Sequence, residues 1–178
     1  IEVPYNDLSI GTEDFTCEAW INPTEGTGGH FVHAAGWNEG NNQGYWMYVV
    51  NSTKSMRLYA SNGSWNNMPL VAQSSSNVWT AGTWQHVAFC RDNGVVKLFV
   101  NGTEDSDFTT TYTASLALVG LGGSHAGQGA EPRGVIGVRI ADGGLYDGYV
   151  GYIQDFRLTK GVSRYSANFT PPTGPLLG

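Results

Sequence analysis

Two Asn-Gly pairs in the middle of the chain most strongly constrain the fold. The pair at 93–94 separates the apolar runs 84–91 and 95–100, and the pair at 101–102 separates 95–100 from 103–109. Asn-Gly suits the positive φ angles of a two-residue hairpin turn. The pattern therefore predicts three neighbouring antiparallel strands joined as a meander.

Short strand-like runs also lie on both sides of this meander. The candidates are 15–21, 30–37, 45–50, 55–60, 68–73, 116–120, 135–140 and 149–160. The 25 glycines and the 13% of charged residues are atypical of a helical protein. Many short strands with frequent turns predict an all-β, two-sheet antiparallel sandwich, since one large sheet would leave a face uncovered. At 178 residues, we expect a single domain over 1–178.

The run 149–160 alternates in character before a basic turn and the pair at 171–172, where prolines are expected to end strand pairing. A period of two places alternate side chains on opposite faces of a strand. One predicted face carries Ile153, Asp155, Arg157 and Thr159, and the other carries Gln154, Phe156, Leu158 and Lys160.

Charge and hydropathy exclude two kinds of partner. The net charge is −6 and no Lys/Arg cluster is present, which argues against nucleic-acid binding. No apolar run is long enough for a membrane span, so no membrane insertion is expected. Cys17 and Cys90 both lie in strand patterns, where buried free thiols are favoured over a disulfide.

Three segments, at 10–21, 84–88 and 96–102, resemble the laminin-G-like branch of the concanavalin A-like jelly rolls. The closing segments, 151–158 and 164–172, resemble versions of this domain in virion proteins of tailed bacteriophages. The resemblance implies a jelly-roll sandwich that acts at the virion surface as a non-catalytic appendage module. Its partners would be other virion structural proteins, cell-surface glycans or both, and a homo-oligomer is compatible with this role.

Two alternatives stay open alongside this interpretation. One is a secreted, extracellular carbohydrate-binding adhesin module of a cell.

The resemblance also implies one more strand before Ile1. We expect that strand to be missing from the sequence, rather than supplied by a neighbouring chain through β-augmentation.

The second alternative to a virion module is a relative of the sugar-cleaving laminarinase-like β-glucanases. These enzymes place three acids on one strand as Glu-x-Asp-x-x-Glu. Glycoside hydrolysis needs two carboxylates about 5 to 9 Å apart. The nearest string, 13–18, has the wrong spacing: Asp14 and Glu18 share a face, but Glu13 belongs to the preceding turn. No catalytic residue is therefore predicted.

Metal binding has one candidate site. His30 and His33 lie three apart on a predicted strand and should face opposite sides, which does not suit zinc. Laminin-G-like domains often bind calcium through loop oxygens, which implies Asp142, Asp147 and the more distant Asp155 as ligands. The alternative is that Asp142 only forms a turn with the glycines that follow it.

A glycan site is predicted where polar amides and aromatics share loops. Sugar rings stack on aromatic faces, while amide groups satisfy their hydroxyls. The candidate residues are Trp37, Asn41, Asn42, Tyr45, Trp65, Asn66 and Asn67. The glycine-rich loops 121–133 and 141–148 are further candidate surfaces. The alternative is that Trp37, Tyr45 and Trp46 are core or rim residues of their strands.

Alternation over 84–88 also makes a prediction about packing. Trp84 and His86 should share one face and Val87 the other. We expect Trp84 to fill the space between the two sheets, beside a buried His86 that has a hydrogen-bond partner.

Overall fold

The computed structural model describes residues 2–3, 8, 10–25, 29–37, 43–61, 69–116, 133–141, 144–146 and 148–176. This part of the chain contains strands and turns and no helix. The strands are β1 (Glu2–Val3), β2 (Phe15–Pro23), β3 (Gly29–Trp37), β4 (Gln43–Val50), β5 (Ser55–Ala60), β6 (Leu70–Gln73), β7 (Gln85–Asp92), β8 (Val95–Val100), β9 (Thr103–Glu104), β10 (Thr110–Thr111), β11 (Arg133–Ile136), β12 (Arg139–Ala141), β13 (Gly144–Tyr146) and β14 (Gly151–Lys160).

The strands form two six-stranded sheets and one small hairpin. Sheet I has the order β1-β11-β3-β4-β5-β6. Sheet II has the order β10-β8-β7-β2-β14, with β9 also paired to β8. All these pairings are antiparallel, and β12 pairs with β13. The prediction of an all-β, two-sheet antiparallel sandwich is confirmed.

The core consists of alternate side chains from facing strands of the two sheets. Burial of apolar area contributes about 25 cal/mol per Å² to stability, so this layer dominates the folding energy. Its central members are Phe15, Cys17, Ala19, Ile21, Tyr45, Met47, Val49, Met56, Leu58, Ala60, Val87, Phe89, Val96 and Leu98.

Arg91 is fully buried at one end of this core. Its Nε donates to the carbonyl oxygen of Glu13 at 2.9 Å, and its two Nη atoms donate to Ala114 at 2.9 Å and Gly11 at 2.7 Å. The guanidinium also lies 5.6 Å from the ring centre of Phe15. Because the planar fork reaches several carbonyls at once, Arg91 fastens two connecting segments to β7.

The predicted meander is confirmed for its first two strands and is wrong for much of the third. After two paired residues in β9, the chain turns at Asp105, whose carboxylate accepts from the backbone nitrogen of Phe108 at 3.0 Å. The Phe108 ring is buried against Phe89, with centroids 5.7 Å apart. The hydrogen bond of Asp105 and the buried ring of Phe108 interrupt the predicted strand. The segment 103–111 therefore forms two short strands, β9 and β10.

A β-bulge in β14 overturns the predicted alternation of the closing strand. Gln154 pairs with Trp20 and Arg157 pairs with Glu18, so two residues stand opposite one. The bulged Asp155 has a φ of 52°. The extra residue reverses the phase of the strand, so Ile153, Phe156 and Leu158 all pack on the core.

A second bulge, in β3, makes the prediction for the two histidines wrong. The pairing with β4 shifts between Phe31 and His33, which places His30 opposite Val49 and His33 opposite Met47. Val49 and Met47 share one face of β4, so both imidazoles turn toward the interior, where both are buried. They nonetheless have separate partners: the Nδ1 atom of His30 lies 3.0 Å from the oxygen of Gly148, and that of His33 lies 3.1 Å from the oxygen of Val135.

The predicted packing of Trp84 is also wrong. Its side chain is 42% exposed on the outer face of sheet II, and Val87 fills the core instead. His86 is buried on that same outer face, with its Nε2 donating to Glu18 at 3.1 Å. The prediction of a buried, hydrogen-bonded histidine is therefore confirmed, but outside the inter-sheet core.

Cys17 and Cys90 are free and buried, as predicted. Burial raises the pKa of Cys17 well above its usual range and that of Cys90 to about 12. Because the thiolate is the reactive form, we expect neither thiol to react with Ellman's reagent in the native protein, and both to react in denaturant. Rapid labelling of either thiol under native conditions would contradict this burial.

Candidate functional site

The outer face of sheet I carries a band of half-buried aromatic and polar side chains. Trp46 on β4 pairs with Tyr59 on β5, and the next outward pair is Tyr48 with Arg57, which in turn pairs with Gln73 on β6. Side chains of opposing residues lie side by side on an antiparallel sheet. We call these five residues, Trp46, Tyr48, Arg57, Tyr59 and Gln73, the aromatic face.

Hydrogen bonds fix the polar members of the aromatic face. The Nε atom of Arg57 donates to Gln73 Oε1 at 2.7 Å, and its Nη1 donates to the Tyr59 hydroxyl at 3.0 Å. The Tyr59 ring lies 6.1 Å from that of Trp46 and 6.3 Å from that of Tyr48, with the latter pair perpendicular. These contacts hold a cation, an amide and three rings in one arrangement.

Close packing at the margins supports the aromatic face. A Cβ placed on Gly29 would lie about 2 Å from the ring and hydroxyl of Tyr48, so only glycine lets that ring lie against β3. On the same side of β4, Val135 of β11 is 2% exposed and packs with Trp46, Tyr48 and Val138. The rings are therefore held in place before any ligand arrives.

The predicted glycan loops begin and end at the same end of the strands of sheet I. Trp37 pairs with Gln43 at the end of the β3–β4 hairpin, and the backbone nitrogen of Ser61 donates to Gly44 at 2.9 Å. The β3–β4 and β5–β6 connections therefore leave the sheet side by side. Trp37 stands at the last position of β3. The other loop candidates, Asn41, Asn42, Trp65, Asn66 and Asn67, lie outside the described residues, as do 117–132.

Tyr45 is a correction to the predicted glycan site. Its side chain is fully buried in the inter-sheet core, and its hydroxyl donates to the carbonyl of Leu8 at 3.1 Å. The ring also packs beside His33, with centroids 5.5 Å apart. A side chain without exposed surface cannot stack on a sugar, whereas the neighbouring Trp46 and Tyr48 are half-buried on the outer face of sheet I.

The predicted calcium site falls largely outside the described residues. Asp142 and Asp147 are among the residues that lie outside the described ranges. Asp155 is described, and it accepts from Gln154 Nε2 at 3.2 Å in the β14 bulge. Across the residues whose placement is given, no three His, Cys, Asp or Glu side chains cluster as metal ligands. Calcium binding stays a prediction.

A polar cluster with titratable side chains lies on the outer face of sheet II. The Glu18 carboxylate is inaccessible and accepts from His86, from Arg157 Nη2 at 2.7 Å and from the Tyr165 hydroxyl at 2.9 Å. Burial alone would raise the pKa of Glu18, but the hydrogen bonds from these three partners outweigh it and hold the pKa below its usual value. Because the Glu18 carboxylate is buried and already accepts hydrogen bonds from these three partners, it stabilises the fold and is not accessible to a substrate.

This cluster lies under the segment 161–176, which we call the C-terminal tail. Tyr165 and Phe169 stack with centroids 3.6 Å apart and cover Ala88, Cys90 and Phe99. The Phe169 nitrogen donates to Gly102 at 2.9 Å, where a Cβ on Gly102 would collide with the Phe169 carbonyl. The tail is thus part of the folded sandwich.

Helices able to span a membrane are not found among the described residues.

Together, the two antiparallel sheets define a β-sandwich whose sheet I carries the aromatic face on its outer side. A sequence model of the concanavalin A-like lectin/glucanases superfamily matches residues 1–162. The chain therefore belongs to that superfamily. None of the curated proteins is significantly similar to it in sequence.

Several solved structures share this fold at low sequence identity. The carbohydrate-binding module CBM40 of the Ruminococcus gnavus IT-sialidase is 14% identical with a TM-score of 0.64, over 86% of this chain and 78% of that one. Domain 4 of the Geobacillus stearothermophilus arabinanase AbnA, in complex with arabinotriose, is 21% identical with a TM-score of 0.56, over 90% and 66%. Domains LG4-5 of mouse laminin α1 give 12% and 0.56, over 85% and 36%. At these identities the likeness shows the fold alone.

Proposed function

We propose that the chain is a non-catalytic carbohydrate-binding module whose glycan lies on the aromatic face. The observation that carries this proposal is the arrangement of Trp46 and Tyr59 beside a hydrogen-bonded Arg57 and Gln73. Aromatic rings can stack on the C–H faces of a sugar, while the guanidinium and the amide serve its hydroxyl or carboxylate oxygens.

The fixed geometry of the face favours binding. The Arg57 side chain is already held by Gln73 and Tyr59, so a ligand need not order it from a mobile state. Preorganisation of this kind lowers the entropic cost of association. The loops that leave the sheet beside Trp37 would extend the contact surface, with Asn41, Asn42, Trp65, Asn66 and Asn67 as the predicted hydrogen-bonding and stacking residues.

Two of the structural neighbours point the same way. One is a carbohydrate-binding module of a sialidase, and another was solved with arabinotriose. Each supports the proposal only through the shared fold. A non-catalytic role agrees with the complete burial of Glu18, the last acid of the string nearest to a glucanase motif.

The test is a glycan array followed by titration of the best glycan. We expect Tyr59→Ala to weaken binding about fivefold, because the loss of one stacked ring removes on the order of 1 kcal/mol. Val162→Ala removes an exposed apolar side chain remote from the face and serves as the matched control. Unchanged affinity in Tyr59→Ala would contradict the proposed site, and silence of the wild type across the array would contradict the function.

We further propose that this module acts at the surface of a virion. Support comes from the likeness of segments 151–158 and 164–172 to domains of tailed-phage virion proteins. In that setting the module would contact other structural proteins as well as host glycans. An antibody against the chain should label purified particles of the phage that encodes it. A chain found only in the culture medium of a cell would instead support the secreted adhesin.

A further inference from the structure

The tail does not cover the whole outer face of sheet II. A groove of about 650 Å³ lies between this face and the end of the tail. Its lining comprises Trp20, Trp84, Gln154, Asp155 and the tail residues 170–175. A volume of this size falls within the range of small-molecule sites. The groove is on the opposite side of the sandwich from the aromatic face.

Strand register places the floor of the groove. Trp20 on β2 pairs with Gln154 on β14 and with His86 on β7, so all three point outward in one row. Trp84 precedes β7 and is 42% exposed, and its ring lies 6.4 Å from that of Tyr152, which is 66% exposed. One indole and a phenol are therefore exposed to solvent at one end of the sheet, beside the half-buried Trp20.

The β14 bulge supplies a charge to this aromatic surface. Without the extra residue, the position after Gln154 would turn inward, but the φ of 52° at Asp155 keeps its carboxylate beside the Gln154 amide at 3.2 Å. Among the described residues that line the groove, none carries a basic side chain. The groove therefore carries the negative charge of the Asp155 carboxylate, and no basic residue in its described lining neutralises that charge.

The tail gives the groove a stiff wall. Pro171, Pro172 and Pro175 line it, and proline fixes φ. Just before these prolines, the Phe169 nitrogen is held by Gly102, and the Asn168 Oδ1 accepts from Glu104 at 2.8 Å. The wall is anchored to the β8–β9 hairpin, so the groove exists before a ligand binds.

We propose that this groove is a second binding site and that its ligand is a neutral sugar ring. Indole faces match the C–H faces of a pyranose, and Asp155 with Gln154 can accept and donate hydrogen bonds to its hydroxyls. An acidic sugar is excluded because its carboxylate would meet Asp155 without a lining cation. The site stands apart from the aromatic face, so either one can fail without the other.

The indole N–H resonances of the six tryptophans make the test direct. The probes are maltotriose, cellotriose and chitotriose as neutral ligands, and trigalacturonic acid, in which every ring carries a carboxylate, as an acidic one. We expect a neutral probe to shift the resonances of Trp20 and Trp84 and trigalacturonic acid to leave them unchanged. Trp84→Ala should weaken the neutral probe about tenfold and Asp155→Asn several-fold, whereas Tyr59→Ala should leave this binding intact.

Three outcomes would overturn the second site. In one, none of the neutral probes shifts Trp20 or Trp84. In another, Trp84→Ala binds the neutral probe as tightly as the wild type does. In the third, the wild type sediments as an oligomer that Trp84→Ala dissociates, which would make the groove a protein contact. Shifts confined to Trp46 would sustain the aromatic face and reject the groove.

Discussion

Glu18→Ala should destabilise the protein by about 3 to 5 kcal/mol, the usual effect of removing one partner from a buried charge cluster. In the native protein the carboxylate accepts from Arg157, His86 and Tyr165, and the Glu18 side chain has no exposed surface. Its removal leaves a guanidinium without its buried acceptor. Chemical denaturation at pH 7 measures the change, and the midpoint of thermal unfolding should fall by roughly 10 °C.

Glu25→Ala is the matched control for Glu18→Ala. Glu25 also forms an ion pair, with Lys54 at 3.4 Å, but its side chain is 75% exposed. Exposed pairs contribute little, so we expect a change within about 0.5 kcal/mol. The Glu18 variant should also expose Cys90 to thiol reagents before Cys17, because Tyr165 holds the tail over Cys90. Equal stability of the two variants would show that the cluster does not secure the tail.

Acid should destabilise the fold between pH 6.5 and pH 4.5 through His33. Burial lowers the pKa of this imidazole from 6.5 to about 4. Between these two pKa values His33 binds a proton in the unfolded chain but not in the folded protein. The free energy of unfolding therefore falls as the pH falls. Between pH 6.5 and pH 4.5 the loss is about 2 kcal/mol, since each pKa unit corresponds to 1.36 kcal/mol. Unfolding by urea at a series of pH values measures it.

His33→Gln isolates this contribution. Glutamine does not titrate, so the difference in stability between wild type and variant should itself change by about 2 kcal/mol across the interval. The upper part of this window is free of Glu18, whose pKa lies below 4.5, so its contribution is lost only at still lower pH. Parallel stability curves for the two proteins would refute the assignment to His33.

Sequence reasoning recovered the architecture because turns and periodicity are local. Asn93 and Asn101 have φ angles of 49° and 50°, as the Asn-Gly turns require. Free, buried cysteines followed from the same strand patterns. These features depend on neighbours along the chain, which a sequence displays directly.

The errors come from features that depend on distant partners. A bulge adds one residue to a strand without altering its composition, so the reversed phase after Asp155 is invisible in the pattern. Residues 45–50 are apolar on both faces, so the sequence does not tell which of Tyr45 and Trp46 is buried. Arg57 and Gln73 were not predicted to contribute to a site, because only the pairing of β5 with β6 brings them together.

Amide chemical shifts measured during titration with the best glycan from the array test the central claim most directly. The account predicts that the largest shifts fall on β4, β5 and β6, around Trp46, Arg57, Tyr59 and Gln73. Arg57→Ala should reduce both the shifts and the affinity. A glycan that binds while these residues stay unperturbed, or an array on which no glycan binds, would contradict it.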